Sequence, residues 1–419
     1  MIAIPPALRS RNYRLFFAGQ GISLIGSWMT QIASIWLVYH LSQSAFLLGV
    51  VGFAGQLPTL ILIPFAGVLI DRWNRHRVLV ITQILAMIQS LALAFLALTG
   101  VINIWHIIIL SFCQGAITAF DAPARQAFVP EMVENKEHLA NAIAINSSMF
   151  NGARLVGPAI GGLLIASVGP GYCFLIDGLS YIAVIVGLLA MKVKPRKLAV
   201  ITTNSLERLK EGFAYVFGFY PIRSIIFLLA LVAFAGMPYT ILTPIFATQI
   251  LHGGPETLGF LMTASGVGAL SGAIYLSARK SVLGLGKLIA ISPAIMGLGL
   301  IGFASSRQLW LSLIMMLVIG VGFILTVTSG NTFLQTIVED DKRARVMSIY
   351  AMALFGATPF GNLIAGGLAD YIGAPNTLII GGIICICGSF IFTKQLPTLR
   401  RLVRPIYSSM GLLSNSNPR

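Results

Sequence analysis

Charged residues are scarce in this chain, and acidic residues are scarcer than basic ones. Asp, Glu, Lys and Arg make up 10% of its 419 residues, whereas 57% are hydrophobic. A soluble globular protein carries about a quarter charged residues, so this chain could not cover the surface of a water-soluble domain. The composition therefore excludes a disordered chain and most soluble enzymes.

Cysteine is also rare, with four residues in the whole chain. Cys113, Cys173, Cys385 and Cys387 lie within or beside apolar runs. Their spacing fits neither a zinc site nor a disulfide framework, and we interpret them as small buried hydrophobes. A secreted disulfide scaffold is excluded, and we expect no metal and no cofactor.

Long apolar runs account for most of the length. A transmembrane helix needs about 20 apolar residues, so twelve spans with short connections fit this chain. The first run is too long for a signal-peptide core and no small-residue cleavage site follows it, so we expect a retained span. Turn residues divide the runs into twelve predicted helices, at residues 13–40, 46–70, 77–99, 104–122, 139–167, 171–191, 222–248, 257–278, 285–304, 308–336, 346–369 and 375–394.

The basic residues lie almost entirely on one side of the predicted membrane. If both termini share a side, that side receives 26 of the 28 Lys and Arg residues. Arg307 falls on the other side and Arg154 inside a span. Cytoplasmic loops carry the excess of Lys and Arg, so both termini are predicted to be cytoplasmic. The net charge of +15 then reflects topology and attraction to anionic lipid headgroups, and we expect no nucleic-acid partner.

An internal repeat divides the spans into two halves. The glycines at 152, 157, 161 and 162 recur at 356, 361, 366 and 367, an offset of 204 to 205 residues, or six spans. Two parallel six-span repeats with a substrate site between them are a known plan of transporters. The basic connection after span six carries an amphipathic pattern, which predicts a helix on the membrane surface; an unstructured linker is the alternative. We predict an all-α membrane fold with an N-terminal half at 1–191, a cytoplasmic linker at 192–221, a C-terminal half at 222–394 and a basic cytoplasmic tail at 395–419.

The connection between spans two and three carries the most informative motif. It reads Gly67-Val-Leu-Ile-Asp71-Arg72-Trp-Asn-Arg75-His-Arg77 and resembles the signature of the major facilitator superfamily. In that superfamily the cluster latches the cytoplasmic side in the outward-open state. The resemblance implies a gating role for Gly67, Asp71, Arg72, Arg75 and Arg77; an ordinary basic turn is the alternative.

Asp121, at the cytoplasmic end of span four, belongs to the same predicted gate. We expect it to pair with Arg72 or Arg75 rather than to carry a proton.

Span five carries a glycine–proline segment. It resembles the antiporter motif of the same superfamily, which is common in exporters and unusual in importers. Small residues let helices touch, and proline bends a helix. The alternative is simple packing with no bearing on the direction of transport. The residues are Gly152, Gly157, Pro158, Gly161 and Gly162.

Further stretches resemble one branch of the superfamily, that of the enterobactin exporter and macrolide efflux proteins. Among them are Arg11-Asn-Tyr-Arg-Leu-Phe16, Asp121-Ala-Pro-Ala-Arg125 and Ala140-Asn-Ala142. The resemblance covers nearly the whole chain and implies secondary, proton-driven export of an amphipathic small molecule, a siderophore or a macrolide-like drug. It implies a monomer in the bacterial inner membrane. No Gly-x-x-x-x-Gly-Lys loop occurs, so ATP is not indicated as the energy source.

Polar residues at helical spacing mark a candidate substrate cavity in spans one and ten. Unpaired polar groups are costly in hydrocarbon, so such stripes either join helices or line a wet cavity. In the superfamily spans one, four, seven and ten line the cavity, which favours the second role. Aromatic side chains would add apolar surface, with packing as their alternative role. The predicted cavity residues are Gln20, Ser27, Trp28, Gln31, Arg154, Tyr239, Thr328, Asn331 and Gln335.

Two charged residues are predicted deep in the membrane. Helix rise places Arg154 about 20 Å from the cytoplasmic end of span five and Asp177 about 13 Å below the outer turn of span six. Intramembrane charges are costly and are usually paired or functional. We expect Arg154 either to pair with Asp177 or to face the cavity and attract an anionic substrate. Asp177 is also the candidate carrier of a coupling proton.

Three other functions fit the same frame. A lipid or lysophospholipid transporter would have a lateral opening, and an importer would accumulate its substrate inside the cell. A non-transporting membrane scaffold would tolerate polar substitutions at Gln31 and Asn331. A membrane enzyme is not expected, because the sequence has no nucleophile–base pair or metal cluster.

Overall fold

The computed structural model describes residues 5–193, 205–279 and 281–409, and these are helical almost throughout. The α-helices of the first part are α1 (Arg11–Ser42), α2 (Ala45–Arg72), α3 (Arg75–Leu98), α4 (Ile104–Met132), α5 (Leu139–Val168) and α6 (Pro170–Leu189). Those that follow are α7 (Ser205–Gly218), α8 (Tyr220–Gly236), α9 (Tyr239–Ile245), α10 (Pro255–Ser277), α11 (Leu285–Ser305), α12 (Leu309–Ile337), α13 (Asp340–Ile372) and α14 (Ala374–Ser409). A π-helical turn, Phe246–Ile250, follows α9.

Twelve segments of the described chain are long and apolar enough to cross a membrane, which confirms the predicted number of spans. Sequence signals explain their ends. Ser44 and Asn74 cap α2 and α3 by accepting a bond from a first-turn amide. Gly169 and Gly373 end α5 and α13 with φ values of 92° and 87°, where a residue with a Cβ would be strained. These two glycines are 204 residues apart, so the repeat includes its turns.

The seventh span is interrupted, although the sequence predicts one continuous helix at 222–248. α8 ends at Gly236, and α9 begins only after Pro238. Proline lacks the amide hydrogen that a helix interior requires, and its ring collides with the preceding turn. Pro244 lies inside α9, and the wider π-helical turn follows it directly.

The described residues form two compact units, Met1–Thr202 with Ile241–Thr263, and Thr203–Thr240 with Ala264–Arg419. In the first unit α1 packs against α5 and α6, α3 packs against α6, and α2 packs against α4. In the second unit α8 packs against α13 and α14, and α11 packs against α14. α10 packs closely against α12 at Gly268, because a Cβ added there would overlap the backbone of Leu317. The two units therefore repeat the same pairing of spans.

The linker helix α7 packs against α13 within the second unit. Glu211 Oε2 lies 2.9 Å from Arg345 Nη1, and Lys342 Nζ lies 4.7 Å from the ring centroid of Tyr215. Val216 of α7 is fully buried in the core that this helix shares with α8, α11, α12 and α14. A helix is present where the sequence predicts an amphipathic one, and Phe213 and Val216 of its apolar face pack on protein. Residues 194–204 of the predicted linker lie outside the described residues.

α14 continues to Ser409, although the sequence predicts that the last span ends at 394. Leu396, Leu399 and Val403 recur at helical spacing and are buried in the core of the second unit, while Arg400 and Arg404 are exposed. One apolar face on protein and one basic face explain why the helix persists beyond the apolar run.

The expected burial of the cysteines is correct for two of the four. Cys173 and Cys385 are buried, whereas Cys113 and Cys387 are exposed. For the exposed pair the prediction is wrong, because a membrane helix can present an apolar side chain to lipid as well as to a core.

Candidate functional site

The basic turn between α2 and α3 is anchored on α4. Arg75 Nη1 donates to the carbonyl oxygen of Ala127 at 3.1 Å and to Glu131 Oε1 at 2.9 Å. Arg72 and Arg77 are exposed. Gly67 lies in α2, and the side chain of Asp71 lies outside the described part of the structure. In this turn one arginine is therefore hydrogen-bonded to α4, and the other two are exposed on the protein surface.

We predict that Glu131→Gln lowers the free energy of unfolding in detergent by about 1 kcal/mol, because the amide oxygen still accepts from Arg75 but the bond loses its charge on the acceptor. Arg75→Ala should cost more, because it also removes the bond to Ala127. Thermal unfolding of the two variants and the double variant measures this. A double variant that loses the sum of both single effects would mean that the two side chains do not interact.

Asp121 is buried between α3 and α4. Its carboxylate accepts from Thr82 Oγ1 at 2.9 Å and from Gln83 Nε2 at 2.8 Å, and Arg125 Nη2 lies 3.3 Å away. The expected pairing with Arg72 or Arg75 is wrong in this conformation. Arg125 lies one turn later on α4, close enough to pair with Asp121. Thr82 and Gln83 of α3 supply the other contacts of its carboxylate.

Asp177 lies at the contact of α6 with α1 and α3, and it is 2% exposed. Thr30 Oγ1 and Ser90 Oγ each lie 3.0 Å from Asp177 Oδ2, and Ser27 Oγ lies 3.4 Å from Oδ1. An alanine at Gly26 would place its Cβ 2.8 Å from Oδ1, so α1 approaches this close because Gly26 has no side chain. Asp177 is thus a buried carboxyl group surrounded by hydroxyl groups.

Two of these hydroxyl groups have further contacts. Ser90 Oγ lies 2.9 Å from the carbonyl oxygen of Phe174. Ser27 Oγ lies 3.0 Å from the carbonyl oxygen of Ser23 and 3.3 Å from the hydroxyl of Tyr181. The network therefore extends from Asp177 along α1, α3 and α6.

Arg154 does not pair with Asp177, so one of the two predicted roles is excluded in this conformation. It is half-buried, and its guanidinium carbon lies 5.9 Å from the ring centroid of Trp28. Trp28 in turn meets Phe150 edge to face, with centroids 5.8 Å apart. Helix rise gives the depth of a residue but not the direction in which it points around the helix.

The glycine–proline segment of α5 contacts two helices. An added Cβ at Gly157 would lie 2.5 Å from Trp28 Cβ, and one at Gly161 would lie 3.2 Å from Met29 Cα. On another face, a Cβ at Gly162 would lie 2.6 Å from the carbonyl oxygen of Pro255 and 2.9 Å from Gly259 Cα in α10.

Pro158 and Gly152 complete the segment. A Cβ at Gly259 would lie 2.6 Å from the carbonyl oxygen of Pro158, so α5 and α10 touch backbone to backbone. Gly152 has no atom within 4 Å of an added Cβ, and the packing role predicted for it is wrong.

The predicted cavity stripes separate into buried and accessible residues. Gln20 is 4% and Tyr239 is 1% exposed, and the Tyr239 hydroxyl lies 2.8 Å from Ser265 Oγ. These two side chains pack inside the protein and line no cavity in this conformation. Accessible or partly accessible are Ser27, Trp28, Gln31, Thr328, Asn331 and Gln335. On α12, Gln335 Nε2 donates to Asn331 Oδ1.

A sequence profile of transmembrane secretion effectors matches residues 3–403. The chain belongs to this family of the major facilitator superfamily. Its members are transporters rather than enzymes, which fits the twelve spans and the basic turn.

Relatives in this family carry efflux and siderophore names. The chain is 27% identical over 380 residues to the staphyloferrin A transporter of Staphylococcus aureus, covering 90% of this chain and 95% of the relative. It is 26% identical to the multidrug efflux pump Tap of Mycolicibacterium fortuitum, covering 84% and 88%. It is 25% identical to macrolide efflux protein A of Streptococcus pyogenes, covering 90% and 95%.

Solved structures share the fold. A D-xylose–proton symporter superposes with a TM-score of 0.72 at 15% identity, covering 91% of this chain and 96% of the symporter. A bacterial homologue of the lysosomal transporter Spinster, in an inward-facing conformation, gives a TM-score of 0.69 at 15% identity, covering 94% and 98%. The predicted all-α major facilitator fold is confirmed.

Sequence reasoning missed several residues of these contacts. Thr30 and Ser90 bind Asp177 from helices 147 and 87 residues away, and Gly259 meets α5 from α10. Each is a small or hydroxyl residue in an apolar run, so only the position of a distant helix distinguishes it from its neighbours.

Proposed function

We propose that this chain exports an amphipathic small molecule, a siderophore or a macrolide-like drug, across the bacterial inner membrane by alternating access. The observation that carries the proposal is the contact of the antiporter-like segment of α5 with α10, in a chain of the secretion effector family. Relatives named for staphyloferrin A transport and macrolide efflux support the substrate class.

Alternating access would rock two six-helix halves, residues 1–191 and 222–394, around a central site. In this scheme both termini lie in the cytoplasm. Residues 192–221 form the cytoplasmic linker and residues 395–419 the basic tail. The transporter works as a monomer. The basic turn around Arg75, on the cytoplasmic side, would shift the equilibrium between the inward-open and outward-open states. The α5–α10 contact would close the outer side, since it involves the end of α5 far from the basic loops.

Asp177 is the proposed carrier of the coupling proton, and hydrogen-bond counting supports this role. Ser90 has one hydroxyl proton, yet its oxygen lies within bonding distance of two acceptors, the Phe174 carbonyl and Asp177 Oδ2. If Oδ2 carries a proton and donates it to Ser90, then Ser90 donates to Phe174 and both contacts are hydrogen bonds. When the proton leaves, one of the two contacts is lost, so protonation changes how α3 is bonded to α6.

Other titratable groups near Asp177 are few in the described part of the chain. Tyr181 contacts it through Ser27, and Cys173 lies one turn away on α6. From the helices packed against α6, His76 of α3 contacts its far end at Leu188, and Arg154 of α5 lies beside Trp28. A pH dependence of transport that disappears with Asp177 is therefore attributable to this carboxyl group.

The function is tested by comparing metabolites in cells with the gene deleted and restored, under iron limitation and iron repletion. We expect an amphipathic compound to accumulate inside the deletion strain and to fall in the medium. Dependence on iron would indicate a siderophore, and a loss of resistance to added erythromycin would indicate a drug.

Three results would contradict export. A change confined to phospholipids or lysophospholipids would favour a lipid transporter. Higher internal levels of a compound in the restored strain would favour an importer. Identical profiles in both strains, with the protein present in the membrane, would favour a scaffold.

A further inference from the structure

The last helix, α14, has an exposed basic face where it continues beyond its apolar run. Four exposed cations form this face: Lys394, Arg400, Arg401 and Arg404. Within the described residues no side chain of the four has an ion pair or a hydrogen bond. Lys394 Nζ lies 4.5 Å from the ring centroid of Phe390, one turn earlier on the same helix. The described part of the chain therefore leaves the charge of this face unbalanced.

The basic face continues the lipid-facing side of the span. Four residues recur at intervals of four, seven and three: Phe390, Lys394, Arg401 and Arg404. That spacing places them on one side of the helix. Phe390 belongs to the apolar run and is 60% exposed, as expected for an apolar side chain that faces lipid. The cations therefore follow the lipid-facing side of α14 out of the membrane, while its opposite side is buried in the core of the second unit.

Helix rise places these cations at the membrane surface. From Ala374 to Lys394 the helix rises about 30 Å, close to the thickness of the hydrocarbon core of a bilayer. Arg401 and Arg404 follow about 11 and 15 Å farther along the helix. Long cationic side chains extend toward headgroups, and the field of an anionic leaflet reaches about a Debye length from its surface. The basic face therefore lies within reach of charged headgroups.

The neighbouring helices add positive charge to this region. An added Cβ at Gly286, near the start of α11, would lie 3.1 Å from Leu396 Cδ1, and the next residue, Lys287, is exposed. On α7, which shares the same core, Glu211 is already paired with Arg345. An anionic partner therefore matches the basic face and its surroundings in charge.

We propose that the basic face of α14 binds the phosphate groups of anionic phospholipids, in the leaflet on the side of the basic loops. An arginine matches a phosphate through two parallel N–H···O bonds. Each cation near a charged membrane surface strengthens the attraction by about a factor of five. Lipid that binds only the folded chain stabilises it, so anionic lipid should hold α14 against the core of the second unit. This site is independent of the exported molecule.

The test measures which lipids gather around the basic face. The full chain is placed in phosphatidylcholine nanodiscs with a small fraction of phosphatidylglycerol that carries a nitroxide on its acyl chain, or with the same fraction of nitroxide-labelled phosphatidylcholine. A fluorophore on Thr398→Cys, an exposed position between Lys394 and Arg401, is quenched by nearby nitroxide. The exposed Cys113 and Cys387 are replaced beforehand. We expect labelled phosphatidylglycerol to be enriched there at least tenfold over labelled phosphatidylcholine. The enrichment should fall in high salt, which screens exposed charges.

Two triple variants separate charge from folding. The glutamine variant, Arg400→Gln with Arg401→Gln and Arg404→Gln, should lower the enrichment at least fivefold. The lysine variant at the same three positions keeps the charge and should retain most of the enrichment. In phosphatidylcholine alone both variants should unfold at the wild-type temperature. Added phosphatidylglycerol should stabilise the wild type more than the glutamine variant, and inorganic phosphate should stabilise neither.

The matched control removes the same charge near the other terminus. Arg9→Gln, Arg11→Gln and Arg14→Gln replace three exposed cations and should leave the enrichment near Thr398 unchanged. An equal fall in this control would mean that net charge, and not α14, attracts the lipid, and the proposed site would be overturned.

Two other results would also overturn the site. One is enrichment that persists in the glutamine variant or is lost equally in the lysine variant. The other is equal quenching by both lipids in the wild-type chain, which would leave the basic face to an acidic protein partner. The lipid preference and its salt dependence are measured on the wild-type chain, so they decide the matter even if a variant fails to fold.

Discussion

Asp177→Asn is expected to abolish transport driven by a pH gradient while leaving substrate exchange intact. Asparagine fills the same space among Ser27, Thr30 and Ser90 and can bond to the same hydroxyl groups, but it cannot take up or release a proton. Gradient-driven uptake should fall at least tenfold. Exchange of labelled for unlabelled compound across proteoliposomes requires only the movement of the loaded carrier, so it should persist.

The matched control is Asp370→Asn, which removes an exposed acid near the end of α13. It should retain the full response to the pH gradient. If Asp177→Asn also retained that response, Asp177 would be a structural group and the proton carrier would lie elsewhere. If it lost exchange and gradient-driven uptake equally, the substitution would have damaged the carrier itself.

Gly259→Val is expected to reduce export at least tenfold by separating α10 from α5. Its Cβ would lie 2.6 Å from the Pro158 carbonyl oxygen and 3.0 Å from Gly162 Cα. Both atoms belong to the backbone, so no side-chain rotation relieves the overlap. The helices must move apart, and the outer side should spend more time open.

Labelling measures this opening. A cysteine at Thr263, whose hydroxyl donates to the Leu155 carbonyl in the closed contact, is introduced after replacing the exposed Cys113 and Cys387. With Gly259→Val it should react faster with a membrane-impermeant maleimide added outside. Gly152→Val is the matched control, because the same substitution there meets no neighbour. Equal labelling in both variants would show that the α5–α10 contact does not close the outer side.

The number of spans and the family were predictable because they depend on patterns along the chain. Twelve apolar runs, one-sided basic residues and the segment from Gly67 to Arg77 require no knowledge of which helix lies beside which. Gly157, Gly161 and Gly162 of α5 were identified in the same way, since small residues spaced by about one turn mark a contact face, whereas Gly152 makes no such contact.

The partners of the charged residues could not be predicted from those patterns. Depth in the membrane placed Arg154 and Asp177 at similar levels, yet Asp177 faces Ser90 and Thr30 while Arg154 faces Trp28. The rotation of each helix about its axis decides such contacts, and packing over the whole unit sets that rotation. The predicted partner of Asp121 was wrong for the same reason, because Gln83 of α3 is the residue that packing places beside its carboxylate.

The ends of elements were predictable where capping residues or prolines act locally. Pro238 explains the break in the seventh span. The extension of α14 is also visible in the sequence, since Leu396, Leu399 and Val403 keep helical spacing among arginines. A search for apolar runs misses it, because only one face of the helix is apolar.

Uptake into everted membrane vesicles tests the central claim, proton-driven export, most directly. The vesicles expose the cytoplasmic face and acidify their interior during respiration, and the probe is the compound that the deletion strain retains. We predict uptake with the wild-type chain, no uptake with Asp177→Asn, and collapse when a proton ionophore is added. Equal uptake in vesicles with and without the chain, or uptake only into right-side-out vesicles, would contradict export.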